Sequence, residues 1–394
     1  MSPAVSRSTA GRCRPRVLTV NGGTLGSASN AQLANAVVVN GDFAVNGDMA
    51  LNGNMLLNTS VRIDGVNATD RFVTLGGAIS GAHGLTLDAT GAASTEFSMT
   101  GTSSNTYTGL TTVQGLARLA LGKTGAQSIA GDLTIAGNAA VGIVASEQIS
   151  DTATVTVNSM GQPVNGVPAQ YDGLQLATWG TPNLVETIGT LNGNGTIGLG
   201  SGTLRVGAGD FTGAIANGSI ATLLAGSVAV NGNLVKYGPG TLTLSGANTY
   251  SGSTSIDGGT LRAGAANTLS AVSAHTVASG ATLDLAGFNQ SVPSLTNSGT
   301  VSLLGTTPGT VLTVTGPYVG NNGLLRLGTS LGNSASVSDR LLLSGATAVA
   351  SGSTTVQVTN LGGLGAQTTG NGIEVIGTAN GGSIAANAFS LAGG

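Results

Sequence analysis

A glycine followed within one or two residues by an apolar strand start recurs at Gly202, Gly240, Gly259, Gly280 and Gly299. The separations are 38, 19, 21 and 19 residues, so the first interval holds two steps of a shorter repeat. A fixed period of about 20 residues marks a solenoid, in which each unit packs only on its neighbours. The segments between the glycines alternate apolar and polar residues, the period of a half-buried strand, and none carries helical spacing. Leucine-rich repeats share the period, but their Leu-x-x-Leu-x-Leu-x-x-Asn spacing is absent. The expectation is an all-β, right-handed parallel β-helix. Rungs stack at about 4.8 Å, so about 350 residues make roughly 17 turns and a rod of about 80 Å.

The unit is clearest between Lys236 and Gly264. Three short runs lie there: Thr241-Leu242-Thr243-Leu244, Thr254-Ser255-Ile256 and Thr260-Leu261-Arg262-Ala263. Alternation puts Leu242, Leu244, Thr254, Ile256, Leu261 and Ala263 on one side. The connectors, Ser245-Gly246-Ala247-Asn248 and Asp257-Gly258-Gly259, are rich in residues that tolerate positive φ. Residues 98–121 read as a second copy, with Asn105-Thr106-Tyr107-Thr108-Gly109 aligning with Asn248-Thr249-Tyr250-Ser251-Gly252.

The surface of such a rod is made of Ser, Thr, Asn and Gly. Charged residues are 7% of the 394, against about 25% in ordinary domains. The 40% hydrophobic content argues against disorder. No apolar run reaches the roughly 18 residues of a spanning helix. From Val17 onward nine basic residues face sixteen acidic ones, so there is no basic face for nucleic acid. Cys13 is the single cysteine, which excludes an internal disulfide.

Residues 1–16, MSPAVSRSTAGRCRPR, form a basic leader without the apolar core of a secretion signal. Strand grammar runs from Val17 onward, with Asn-Gly turn pairs at 40–41, 46–47 and 52–53. An irregular insertion is expected near 145–180, where Ile149–Tyr171 alternates poorly.

The run Gly240-Thr-Leu-Thr-Leu-Ser-Gly-Ala-Asn-Thr-Tyr-Ser-Gly252 resembles the strand repeat of bacterial autotransporter passenger domains. Residues 330–394 resemble the C-terminal end of pertactin-type passengers, the autochaperone; the resemblance rests on Ser338-Asp339-Arg340-Leu341-Leu342-Leu343-Ser344-Gly345 and the strands Gly352–Gly362, Gly370–Ile376 and Ala388–Gly394. The resemblance implies a β-helix passenger over 17–329 and a capping segment over 330–394. It implies a cell-surface, outer-membrane-associated or extracellular location. In this family a short linker and a membrane β-barrel follow, so a barrel is expected beyond Gly394 or on another chain. The implied function is a non-enzymatic, adhesin-like contact scaffold. Its partners would be protein or glycan molecules on a host or neighbouring cell. Two other readings stand beside it: a glycan lyase or hydrolase on the same coil, and a purely structural spacer.

Catalysis by a Ser-His-Asp site needs a histidine base, and only His83 and His275 exist. In coil terms His275 falls near Asp257 and Asp284. A lyase needs clustered carboxylates, yet the nearest pairs are Asp42 with Asp48 and Asp339 beside Arg340, both read as salt links or solvated turns. No residue is assigned to catalysis, a cofactor or a metal. Asn105 and Asn248 are candidates for stacked amide ladders at a coil corner. Tyr107, Tyr250 and Trp179 are candidate binding aromatics, with packing against the coil as the default.

Overall fold

The structure is a computed structural model that describes residues 17–27, 30–160, 162–164, 167–171, 173–176, 183–218 and 231–392. The basic leader and Trp179 lie outside the described residues. Among the described residues there is no helix. Sixteen strands, from Thr24–Gly26 to Phe389–Leu391, form one continuous column through parallel pairings. The chain is a parallel β-helix. Fifteen steps of ~4.8 Å give a column of about 70 Å. That is close to the expected 17 turns, and the difference comes from turn length. Register partners lie 18 residues apart at Leu191 and Gly209 but 36 apart at Val155 and Leu191.

Early turns have three faces. One turn is Val37–Val39, Phe43–Asn46 and Met49–Leu51, and it pairs residue for residue with Met55–Leu57, Val61–Gly65 and Arg71–Leu75. Later turns fuse two faces into long bent strands such as Val185–Gly193 and Tyr318–Thr329. Within the stretch expected to be an irregular insertion, 145–180, the strands Thr154–Val157 and Leu174–Leu176 keep their place in the stack. Between them in the chain lies an antiparallel pair, Gln162–Val164 with Val167–Tyr171.

The inward residues of the repeat unit are those alternation gives. Leu242, Leu244, Thr254, Ile256, Leu261 and Ala263 are all buried. Burying one such leucine contributes roughly 2 kcal/mol. Gly259 makes the corner possible: its φ is +62°, and an added Cβ would lie 2.3 Å from the Gly240 carbonyl.

Stacking also explains the scarcity of charge. Every outward side chain has a register partner about 4.8 Å above and below, so like charges would repel along the axis. Thr86, Thr112, Thr134 and Thr156 fill one such row. Asp64 and Asp88 are like charges in register, and a neighbouring arginine offsets them. Arg62 bridges Asp64 and Asp88 at 3.1 and 3.0 Å, and Arg262 faces Asp284 at 3.6 Å.

Candidate functional site

At the corners of the coil, backbone N–H groups turn inward with no strand to receive them. A buried N–H without an acceptor costs about 1–3 kcal/mol. At several turns a side-chain acceptor meets this need. The Ile79 amide donates to Asn105 Oδ1 at 2.8 Å, and Asn105 Nδ2 donates to the Ser128 carbonyl at 2.7 Å. The Ile215 amide donates to Asn248 Oδ1 at 2.8 Å, and Asn248 Nδ2 donates to the Thr268 carbonyl at 2.6 Å. Each asparagine therefore staples three turns. Gln148, Gln290 and Asp339 act alike. Gln148 Oε1 accepts the Lys123 amide, Gln290 Oε1 accepts Thr268 and Leu269, and Asp339 accepts Gly309, Thr310 and Gly328.

This corrects two expectations. Asn105 and Asn248 do not stack on other amides; they bond backbone. The amide ladder lies elsewhere, where Asn40 donates to Asn21 and Asn58 to Asn40, each at 2.8 Å. Nor does Asp339 pair with Arg340. Asp339 is buried on three backbone amides, and Arg340 instead meets Glu374 at 2.8 Å. Asp42 and Asp48 serve separate groups, as salt-link or turn residues would: Asp42 takes the Arg62 amide, and Asp48 takes the Phe72 amide and pairs with Arg71 at 3.7 Å.

Tyr107 and Tyr250 are wholly buried, and their hydroxyls bond Thr111 and Thr254 at 2.7 Å. Burial pushes both phenols above their usual range.

His275 sits in the core between Thr254 and Leu295 in register. Its Nδ1 bonds the Ser273 carbonyl at 2.7 Å, while Nε2 is buried without a partner. Burial pulls its pKa down to about 4, so the ring is neutral near pH 7. The two acids expected near it are engaged elsewhere. Asp257 takes the Ser255 hydroxyl, and Asp284 faces Arg262 and accepts the Ala286 amide. His83 lies half-buried at a turn many rungs away. The structure assembles no triad from these residues.

Sequence reasoning missed three further features. First, both lysines are fully buried. Lys236 Nζ donates to the carbonyls of Tyr237, Gly238 and Gly258 at 2.7–3.0 Å, and Lys123 Nζ to those of Gly77 and Thr100. Burial lowers the Lys236 pKa to about 8. Second, Tyr237 donates to the carbonyls of Asp151 and Ile188, each at 3.2 Å, and carries Arg205 5.5 Å above its ring.

The third is a clasp between 146–149 and 185–187, the two ends of the stretch that holds the antiparallel pair. Glu186 accepts the amides of Gln148 and Ile149 at 2.9 and 2.7 Å. In return Glu147 accepts the Thr187 amide and hydroxyl at 3.3 and 3.2 Å. Ser146 Oγ takes the Val185 amide, and the Glu147 amide meets the Val185 carbonyl at 3.0 Å. Glu147 holds a φ of +55°, a strained value for a residue with a Cβ. Burial, aided by Glu147 and Asp151, pushes the Glu186 pKa up to about 8.

Residues 290–394 match the family described as Autochaperone Domain Type 1, and 234–263 match the Passenger-associated-transport-repeat. The first match begins well before residue 330. The chain is similar to the Escherichia coli K12 protein YuaQ, 41% identical over 153 residues that cover 39% of this chain and 11% of that one. It is similar to the Adhesin BmaC autotransporter of Brucella suis biovar 1, 47% identical over 91 residues, 22% of this chain and 3% of that one. It is similar to YdeU of Escherichia coli K12, 51% identical over 69 residues, 18% and 14% respectively. The chain thus spans a small part of the length of each relative.

Proposed function

We propose, from the premise that this chain is an autotransporter passenger domain, that it is a non-enzymatic, adhesin-like contact scaffold displayed on the cell surface or released from it. The observation that supports a passive role is where its chemistry-bearing side chains are used. His275, both lysines, Glu186 and Asp339 are turned into the coil to satisfy or seal the backbone. The similarity to an adhesin over 91 residues points the same way. Partners are protein or glycan molecules on a host or neighbouring cell, met by many weak contacts along the rod that add through avidity. In the domain plan proposed here the β-helix body starts at Val17 and passes into the C-terminal capping segment.

The test is surface display joined to adherence. Cells carrying the native gene with its flanking DNA are probed intact with an antibody against 145–180, and their adherence is compared with cells lacking the gene. Surface signal with raised adherence supports the reading. Surface signal with unchanged adherence removes the adhesin role, and signal confined to lysed cells removes the passenger's display as well.

A further inference from the structure

Among the described residues, every arginine but one has a partner for its guanidinium. Arg62 meets Asp64 and Asp88, Arg71 meets Asp48, Arg262 meets Asp284, and Arg340 meets Glu374. Arg118 faces Glu96 in register, and Arg205 lies over the Tyr237 ring. Arg326 has neither an acid nor a ring among the described residues. Its side chain is half-buried, and its Nε is sealed from water without an acceptor. Both Nη groups also lack an acceptor there and stay open to solvent. A buried donor left unpaired calls for an explanation, and a bound ion or ligand is one.

The surroundings of Arg326 are neutral and polar. It stands on the outer row of the main column, in register between Ser302 and Gln357. Two positions back on the same strands, Leu324 stands between Thr300 and Thr355. The Gln357 amide and the Thr300 and Thr355 hydroxyls have no partner among the described residues. The next acid along the row is Asp284, two rungs away at roughly 10 Å. Arg262 already engages it.

We propose that Arg326 is an oxyanion-binding site for an acidic glycan, a sugar that carries a sulfate ester or a carboxylate. A guanidinium offers paired N–H donors that match two oxygens of either group. Its neighbours match the rest of a sugar. Gln357, Thr300 and Thr355 can donate to and accept from ring hydroxyls, and Leu324 offers apolar surface to C–H groups. An acidic peptide would use the guanidinium and leave these neighbours idle. One cation on an open face binds weakly, with a Kd of about 1 mM, and many copies on one cell add through avidity. The site rests on the contact-scaffold reading and names a class of partner for it.

The test is a ligand-observed NMR titration of the purified full chain. The probes are a heparin-derived tetrasaccharide, tetragalacturonate, neutral maltotetraose and a tetraglutamate peptide. The two acidic sugars differ in their charged group, so the tighter one identifies sulfate or carboxylate as the anion. Arg326→Gln should weaken acidic-sugar binding by about tenfold or more, and Arg326→Lys by less, because the charge stays while the paired donors go. Arg71→Gln, which removes an arginine already paired with Asp48, should change nothing. An unchanged melting curve shows that each variant is folded. The proposal is overturned if neither acidic sugar binds, if maltotetraose binds equally well, or if Arg326→Gln binds like the native chain. Tighter binding of tetraglutamate also overturns it and assigns the arginine to an acidic protein. Since the titration needs no cells, probe binding with unchanged adherence keeps this site and removes the adhesin role, and adherence without probe binding does the reverse.

Discussion

Asn248 Nδ2 lies 2.6 Å from the Thr268 carbonyl one turn further along the rod, while its Oδ1 receives Ile215 from the turn before. One amide thus closes two backbone valences in different turns. Asn105 repeats the arrangement 143 residues earlier with Ile79 and Ser128.

Replacing Asn248 with Ala strands the Ile215 N–H and the Thr268 C=O in a dry corner. At about 1–3 kcal/mol per group, the expected loss is about 2–6 kcal/mol. In a solenoid the loss stays local, because stability is a sum of neighbour terms. Hydrogen exchange at Ile215 should therefore accelerate strongly while exchange at Ile79 is unchanged. Equal acceleration at both amides would contradict the staple. Tyr250→Phe, which removes only the bond to Thr254, should cost about 1 kcal/mol.

The repeat made much of this legible in sequence. The 19- to 21-residue glycine spacing gives a stack of parallel rungs, and alternation around Leu242 and Leu261 gives the inner face. The shared Asn-Thr-Tyr string locates the two best staples. What stayed hidden is chemistry that any residue of one type can perform. A corner N–H donates equally well to an oxygen of Asn105, Gln148, Glu186, Gln290 or Asp339, so these positions share no motif. Partners 20 to 40 residues apart, such as Glu147 with Thr187, depend on how many residues each turn inserts.

His275 makes the rod acid-sensitive. Its folded pKa, about 4, lies below the ordinary 6.5, so folding favours the neutral ring. That stability is present above pH 6.5 and is lost as pH falls from 6.5 towards 4. The full effect is about 3 kcal/mol. His275→Leu should flatten the loss between pH 6.5 and 4, read by urea unfolding at several pH values. An unchanged pH profile would place the acid sensitivity at other groups.

The chain's only lysines, Lys123 and Lys236, are sealed against carbonyls. An amine-reactive ester should therefore label the native protein at its α-amine but not at either lysine, as read by peptide mass spectrometry. In urea both lysines should label. Labelling of Lys236 in native conditions at a rate near that of the unfolded chain would mean that the corner opens freely.

The clasp at Glu186 has the opposite pH sign to His275. Its folded pKa of about 8 stands above the ordinary 4.5, so folding favours the protonated acid. Stability from this group is complete below pH 4.5 and is lost as pH rises to 8, where ionisation sets Glu186 against Glu147 and Asp151. Glu186→Gln keeps an oxygen for the Ile149 amide but cannot ionise. At pH 9 the variant should therefore protect the Gln148 and Ile149 amides from exchange at least as well as the native chain, whereas at pH 5 the native chain should protect them better. Because the clasp joins 146–149 to 185–187, the same comparison should appear as slower protease cleavage within 150–184 for the variant at pH 9. If native and variant chains show the same pH dependence at these amides, Glu186 does not hold a proton in the clasp, and its two backbone bonds are those of an ordinary ionised carboxylate.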